Sequence, residues 1–326
     1  MNARHARGLT LVELLVAMIL GLLVLGACLH FYLGSLRGTQ DTLGVARVQE
    51  AGRLAMALIG HDIRGAGDQL CDQRHAVASL LAERQRPFWK SFDEPLVGLA
   101  AAAGAGLVDP VLGTGTALGE RLPGMPALQV WTVTPLALGV REHPASDAPL
   151  AVTGKDLPDL GSPLLLCDFS RTVLMRVTAT GAAIGHAAPE NCVGYFAGGD
   201  ACPTRTPPRA SLHRFGADTA LGLPQQVRWF VGNDDQGLAS LYRQELVDGA
   251  VVGGGVVASG VTHFSLNYLL DGQAGYMPAT SINASQWSQV RAVDVQLQLE
   301  TSTGAETEAS IVRRFQQTFT VRNRLP

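Results

Sequence analysis

A single uninterrupted apolar segment near the N-terminus constrains this chain more than any other feature. From Leu14 to Leu36 the sequence contains no Asp, Glu, Lys or Arg. As a helix these residues would extend about 35 Å, which is enough to cross a hydrocarbon core of about 30 Å. No other stretch of the chain has this character. The sequence therefore predicts one membrane-spanning helix, placed at the front of the chain.

The residues before this segment form a short basic leader. Arg4 and Arg7 are expected to hold the leader on the cytoplasmic side of the membrane. A cleaved secretory signal has an apolar core of about 7–15 residues and a small-x-small cleavage site. The apolar stretch here is longer, and no clean site of that kind follows it. Residues 25–28 (Leu-Gly-Ala-Cys) leave one alternative open, because they resemble a lipoprotein signature that would place a lipid on Cys28.

Glu13 is the one acidic residue at the start of the apolar stretch. A carboxylate at the centre of a membrane costs about 2.5–3.5 kcal/mol and less near an interface, so it needs a compensating partner. One interpretation is that Glu13 lies at the water interface and merely begins the helix. The other interpretation is that Glu13 has a functional partner. The residues around Glu13 favour this second interpretation.

Residues 8–14 resemble the class III signal of type IV prepilins. They read Gly-Leu-Thr-Leu-Val-Glu-Leu, where the family pattern is Gly-Phe-Thr-Leu-Ile-Glu-Leu. The resemblance implies that prepilin peptidase cuts between Gly8 and Leu9 and methylates the new amine of Leu9. It also implies that Glu13 offsets a positive α-amine, its own or a neighbour's, in a packed filament. Two opposite charges buried together cost less than either one alone.

Removal of the leader changes the charge of the chain. The full sequence has 25 basic and 28 acidic residues, for a formal net charge of −3. Loss of Arg4 and Arg7 leaves a mature chain of net charge −5. The predicted location is the inner membrane, with a single span and the globular part in the periplasm, followed by incorporation into a pilus.

The helix is predicted to continue beyond the membrane, over residues 9–66, with 9–34 in the membrane or filament core. Gly65 and Gly67 provide the signal for its end. An amphipathic stripe at steps of three and four residues indicates that the second half packs on a globular domain. The residues of the stripe are Val48, Ala51, Ala55, Leu58, Ile59 and Ile63.

Residues 67–326 are predicted to form one β-rich domain, which gives an α+β fold. Alternating apolar and polar residues over 264–270 and 292–300 are typical of half-buried antiparallel strands. Residues 67–126 are expected to form loops and short strands, and residues 179–226 to be irregular. Residues 233–237 (Asn-Asp-Asp-Gln-Gly) are predicted to be a hairpin loop rather than a calcium site, since no bidentate Glu follows at the required spacing. The other predicted strands are 128–134, 164–166, 173–177, 227–231, 240–246, 256–270 and 315–321.

Two blocks in the helix narrow the resemblance to minor pilins of the PilW type. Residues 48–55 read Val-Gln-Glu-Ala-Gly-Arg-Leu-Ala, and residues 62–67 read Asp-Ile-Arg-Gly-Ala-Gly. Looser matches follow at 167–171, 240–243, 261–268 and 319–324. At 167–171 the chain departs from the family pattern, because Cys167 precedes the Asp and Phe169 takes the other place.

The PilW-type resemblance implies a role in assembly. Minor pilins of this type prime pilus formation together with other minor pilins, the major pilin and a large adhesin-like tip subunit. The alternative is a J-type minor pseudopilin of type II secretion, which shares the helix and a similar β domain but is usually shorter. The block at 48–55 and the length of the chain favour the pilus.

Four cysteines lie in the predicted periplasmic part, where disulfides are expected. Four cysteines allow three connectivities. Cys192 with Cys202, which would close a Gly- and Pro-rich loop, is favoured, and Cys71 with Cys167 follows by elimination. Cys28 is interpreted as a small buried residue of the span.

The sequence predicts neither an enzyme nor a cofactor. It contains no metalloprotease His pair, no Gly-x-Ser-x-Gly, no phosphate-binding loop and no dinucleotide motif. The Gly-rich residues 252–256 are interpreted as a hairpin turn rather than a phosphate cradle. Acidic residues outnumber basic ones, which argues against a nucleic-acid binder. A lipid-anchored periplasmic enzyme beginning at Cys28 is the remaining enzymatic alternative.

Overall fold

The computed structural model describes residues 11–68, 70–71, 77–83, 87–90, 94–100, 110–197, 202, 212–300 and 311–322. The predicted leader and cleavage site, Gly8 and Leu9, lie outside these residues. The described residues form an α+β fold, with a long N-terminal helix followed by a β-rich and mainly antiparallel domain. The predicted α+β class is therefore confirmed.

One continuous helix, α1, runs from Leu11 to Arg64. It is followed by a turn at 65–67, in which Gly67 has a φ of +71°, a conformation that favours glycine. The helix has two halves with different surroundings. Its large apolar side chains up to Leu36 are exposed, whereas Ala55, Ile59 and Ile63 are fully buried. The amphipathic stripe thus packs on the domain while the apolar half projects from it.

The described part of the domain contains one further short helix and fifteen strands. The helix α2 is Pro87–Lys90, and two 3₁₀ turns occupy Ala279–Ser281 and Ala284–Gln289. The strands are β1 (Val77–Ser79), β2 (Leu96–Leu99), β3 (Ala127–Pro135), β4 (Gly139–Glu142), β5 (Leu150–Thr153), β6 (Pro163–Cys167), β7 (Thr172–Arg176), β8 (Ala183–Ile184), β9 (Ala220–Asn233), β10 (Ala239–Val247), β11 (Ala250–Ser259), β12 (Val261–Leu270), β13 (Met277–Pro278), β14 (Val290–Glu300) and β15 (Val312–Thr320).

The strands form three sheets. The largest has the order β1-β7-β6-β9-β10-β11, with β2 and β3 attached through the pairing of β3 with β9. The second has the order β13-β12-β14-β15, and a small third sheet has the order β4-β5-β8. One apolar cluster joins α1 to both larger sheets through residues such as Ile59, Trp229 and Val295. The helix is therefore held by strands that are distant from one another in sequence.

Two strand predictions are wrong in their boundaries. Residues 256–270 form two strands rather than one, because Gly260 turns the chain with a φ of +77°. A Cβ there would lie 2.4 Å from the carbonyl oxygen of Glu300. Strand β9 begins at Ala220, within the segment predicted to be irregular, because β6 pairs with its first residues and β3 with the stretch from Gly222.

The Gly-rich stretch 252–256 is neither the predicted turn nor a phosphate cradle. It lies inside β11, where Gly253 pairs with Glu245 and Gly255 with Arg243. Gly254 has a φ of +109°, and a Cβ on it would lie 2.0 Å from the carbonyl oxygen of Arg243. Glycine is needed here because two strands approach closely at an irregular pairing.

Two disulfides join the described cysteines. Cys71 is bonded to Cys167, and Cys192 to Cys202, which is the pairing favoured from the sequence. The first bridge ties the segment after α1 to the end of β6, across 96 residues of sequence. Cys28 is a free cysteine, exposed on the apolar half of α1.

Candidate functional site

The apolar half of α1 is the first part of the candidate site. Residues Leu11–Leu36 are long and apolar enough to span a membrane, and none of the most apolar stretch is buried against the domain. Glu13 is in the first helical turn and is exposed on the helix surface. A helix that keeps its apolar residues away from its own domain needs a membrane or other helices to cover them.

A buried carboxylate attaches the second half of α1 to the largest sheet. Asp62 is 2% exposed, and its Oδ2 accepts a hydrogen bond of 2.8 Å from Nε1 of Trp229. Arg243 donates to both carboxylate oxygens, from Nε at 2.8 Å and from Nη2 at 3.0 Å. Trp229 and Arg243 are direct cross-strand partners on β9 and β10. The carboxylate of Asp62 thus connects the helix to two neighbouring strands at one point.

The charge of Arg243 is stabilised where it lies. Burial alone lowers the pKa of its guanidinium, but the hydrogen bonds and charges of Asp62 and Glu245 outweigh burial and raise that pKa. Arg243 also forms an ion pair with Glu245 on its own strand. A bidentate pair of this kind fixes orientation as well as distance. We call the contacts of Asp62 with Trp229 and Arg243 the latch. The latch therefore sets the angle at which α1 leaves the domain.

Two glycines let the helix lie directly against aromatic rings of β15. A Cβ on Gly52 would be 2.2 Å from the ring of Phe315, and one on Gly60 would be 2.3 Å from the ring of Phe319. The guanidinium carbon of Arg64 lies 5.7 Å from the centroid of the Phe319 ring. Gly52 belongs to the block at 48–55. Its close contact with the ring of Phe315 explains why a glycine is needed at this position of the block.

Replacement of Gly60 by leucine should loosen this contact. Leucine is a far better helix former than glycine, yet its side chain would overlap the buried ring of Phe319. We expect the full-length protein in detergent to lose about 1–3 kcal/mol of unfolding free energy in urea. Gly34→Leu is the matched control, because a Cβ there meets nothing within 4 Å. Equal stability of the two variants would contradict the packing described.

The acidic loop at 233–237 is structural. It connects β9 to β10, as predicted, and Asp234 accepts bonds from the backbone N–H groups of Gln236 and Leu238. The hydroxyls of Ser240 and Ser259 donate to its other oxygen. Among the described residues no group of three or more His, Cys, Asp or Glu side chains could hold a metal ion.

The turn between β6 and β7 is held by Asp168. Its Oδ1 accepts bonds from Ser170 and from the backbone of Arg171, and its Oδ2 lies 2.6 Å from Nε2 of His213. Burial alone raises the pKa of this carboxyl, but these hydrogen bonds and the proximity of His213 outweigh it and lower the pKa. Phe169, at the tip of the turn, is 83% exposed. The departure from the family pattern at 167–171 therefore leaves an exposed aromatic ring on a fixed turn.

Two histidines, His143 and His186, are buried against the rings of Phe196 and Phe215. Nδ1 of His143 accepts a bond of 3.0 Å from the backbone N–H of Phe215, so this nitrogen carries no proton. Burial, followed by the proximity of His186, lowers the pKa of His143 to about 4. Burial also lowers the pKa of His186. His213 and Arg214 add further positive charge near His143 when protonated.

This arrangement predicts acid sensitivity of the folded domain. Because His143 binds its proton less readily when folded than when unfolded, stability should fall as the pH drops from about 6.5 to about 4. The loss should be roughly 1–3 kcal/mol. His143→Asn, whose Oδ1 can replace Nδ1 as acceptor, should flatten that part of the urea-derived stability profile. His61→Asn, at an exposed position, should not. Superimposable profiles for the His143 variant and the unaltered protein would contradict the prediction.

Sequence reasoning found some of these residues and missed others. Glu13 lies in the first turn of α1, while Gly8 and Leu9 are outside the described residues. The function of Asp62 was missed, although a signal existed. An acidic residue directly beside Ile63, within the apolar stripe, indicates a buried carboxylate that must have a partner.

Comparison with known families supports the interpretation of the N-terminus. Residues 3–29 match the family described as the prokaryotic N-terminal methylation motif. This match supports a type IV pilin-like prepilin N-terminus, and such a motif implies processing by a prepilin peptidase and association with a pilus or pseudopilus. Comparison of the chain with curated proteins and with solved structures finds no significant match.

Proposed function

We propose that this protein is a minor pilin of the PilW type, required to prime the assembly of a type IV pilus. The observation that carries the proposal is the combination of the methylation motif with an uncovered apolar helix whose second half is buried against the domain. A helix of this design can leave the membrane only by exchanging lipid for other helices. The proposal assigns no catalytic activity and no cofactor to the chain.

Processing is the first step of the proposed mechanism. Prepilin peptidase cleaves between Gly8 and Leu9 and methylates the amine of Leu9. Removal of Arg4 and Arg7 releases the charges that hold the leader in the cytoplasm. Mass spectrometry of the mature N-terminus tests this step directly. A methylated Leu9 supports it, whereas a lipid-bearing Cys28 at the N-terminus would replace the proposal with the lipoprotein alternative.

Assembly is the second step. The mature protein remains in the inner membrane with its domain in the periplasm until it joins the other minor pilins, the major pilin and possible tip subunits. Glu13 then meets a positive α-amine, its own or a neighbour's, and fixes the axial position of the helix. The latch at Asp62 keeps the domain at a defined angle to the helix, so that a correct axial position also positions the domain.

A deletion of this chain in its native host tests the function. We expect loss of sheared surface pili and of twitching, with exoprotein secretion intact. A copy of the gene supplied in trans should restore both. Loss of secretion with pili intact would instead identify the protein as a J-type minor pseudopilin, and normal pili together with normal secretion would reject both assembly roles.

A further inference from the structure

The free edge of the second sheet borders an open groove on α1. Strand β15 is the last strand of that sheet, and among the described residues it pairs on one side only, with β14. The groove between β15 and the helix has a volume of about 470 Å³, within the range of clefts that bind ligands. We call it the arginine groove, and the residues that define it are Arg53, Met56, Arg64, Arg314, Phe315 and Phe319.

Three arginines border the arginine groove without acidic partners: Arg53 and Arg64 on α1, and Arg314 on β15, whose side chain leaves the strand on the face opposite to Phe315. Among the described residues, no carboxylate lies within 4 Å of Arg53, Arg64 or Arg314. Other arginines of the domain form ion pairs within it, as Arg176 does with Glu83 and Asp248. Like charges gathered beside one another destabilise a fold unless something offsets them. Their concentration in a chain of negative net charge points to a negatively charged occupant.

The groove lies too far along α1 for lipid headgroups to be that occupant. Arg53 is seventeen residues beyond Leu36, the last residue of the apolar span. At 1.5 Å per residue this corresponds to about 26 Å of helix, and Arg64 lies further still. The anion must therefore come from a macromolecule in the periplasm or from another subunit.

We propose that the arginine groove binds an extended acidic segment of a neighbouring subunit, which adds as a strand to the free edge of β15. Strand addition satisfies the unpaired backbone groups of an edge, while side-chain pockets supply specificity. Arg53 and Arg64 are eleven residues apart on α1, or about 16 Å, which corresponds to about five residues of an extended chain. Two carboxylates four or six residues apart lie on one face of the segment and match this spacing, with an apolar side chain between them on Phe315.

The choice of a pilin as the source of the segment rests on the proposed function, but the binding of an acidic strand does not. The test therefore uses purified full-length protein in detergent and a fluorescent nine-residue peptide of threonines, with glutamates at its third and seventh positions and a valine at its fifth, so that all three side chains lie on one face. Anisotropy gives the dissociation constant. Arg53→Gln with Arg314→Gln removes two exposed charges, and Arg141→Gln, an exposed arginine on β4, is the matched control.

The expected result is saturable binding that weakens at least about tenfold in the double variant and not in the control. A peptide with both glutamates replaced by glutamine should bind the unaltered protein at least as weakly as the glutamate peptide binds the double variant. Backbone N-methylation along one edge of the peptide should abolish binding. Absence of binding, equal binding by the double variant, or equal binding of the N-methylated peptide would overturn the proposal. Binding of the full chain to phosphatidylglycerol nanodiscs that depends on Arg53 and Arg314, without peptide binding, would assign the groove to the membrane instead. None of these outcomes depends on whether pili form in the deletion strain.

Discussion

Replacement of Glu13 by alanine is expected to reduce incorporation of the protein into surface filaments by about a hundredfold while leaving its folding intact. An unpaired charge buried in a packed assembly costs about 3–5 kcal/mol, and the α-amine would lose its partner. Glu13 lies on the exposed apolar half of α1, so the domain has no reason to be affected. The measurement is the ratio of the protein in sheared pili to that in the membrane fraction, determined by immunoblot.

Two controls separate the charge of Glu13 from other effects. Glu13→Asp keeps the negative charge on a shorter side chain and should retain part of the incorporation. Glu50→Ala removes an exposed acidic residue from the docked half of the same helix and should change little. Unchanged incorporation of the Glu13→Ala variant would exclude the proposed role in axial position, although the methylation motif and the fold would stand.

Replacement of Asp62 by alanine is expected to have the largest effect on folding. It leaves the guanidinium of Arg243 with Glu245 as its one remaining carboxylate, and it removes the acceptor of the Trp229 indole N–H. Removing one partner of a buried pair typically costs about 3–5 kcal/mol. Because Arg243 keeps Glu245, we expect a loss of about 3 kcal/mol of unfolding free energy. Urea unfolding of the full-length protein in detergent, followed by tryptophan fluorescence, provides the measurement.

The neighbouring position supplies a matched control for Asp62. His61 is exposed on the same helical turn, and His61→Ala should change stability by less than about 0.5 kcal/mol. A double variant, Asp62→Ala with Arg243→Met, should recover part of the loss, because the buried guanidinium is removed together with its buried partner and Glu245 is left at a partly exposed position. A small effect of Asp62→Ala, comparable with that of His61→Ala, would show that the latch does not hold the helix.

Local patterns predicted the helix well, because helix formation and membrane insertion depend on neighbouring residues. The apolar stretch and the stripe at three- and four-residue steps indicated one helix of two halves, and α1 ends at Arg64, two residues before the predicted end. Alternation of apolar and polar residues located β12 and β14 for the same reason.

Sequence reasoning failed at positions whose structure is determined by contacts between residues far apart in the chain. Strand β9 begins at Ala220 because β6 and β3 form backbone hydrogen bonds with its first residues. These partners are distant in sequence, so no local pattern indicates them. The Gly-rich stretch 252–256 has the composition of a turn, yet it pairs with β10 as part of a sheet. Gly254 is tolerated there because it has no Cβ to collide with the backbone of Arg243.

The sequence by itself determined that the chain carries a prepilin-type N-terminus, a membrane-length helix and a β-rich domain, since each is specified by residues close together along the chain. The tertiary structure alone decided how these parts are joined. It brought Asp62 to Trp229 and Arg243, and it placed the rings of β15 against Gly52 and Gly60. Burial of a charge and contact between a ring and a glycine depend on residues far apart in sequence, whose meeting is fixed only when the sheets and the helix pack together.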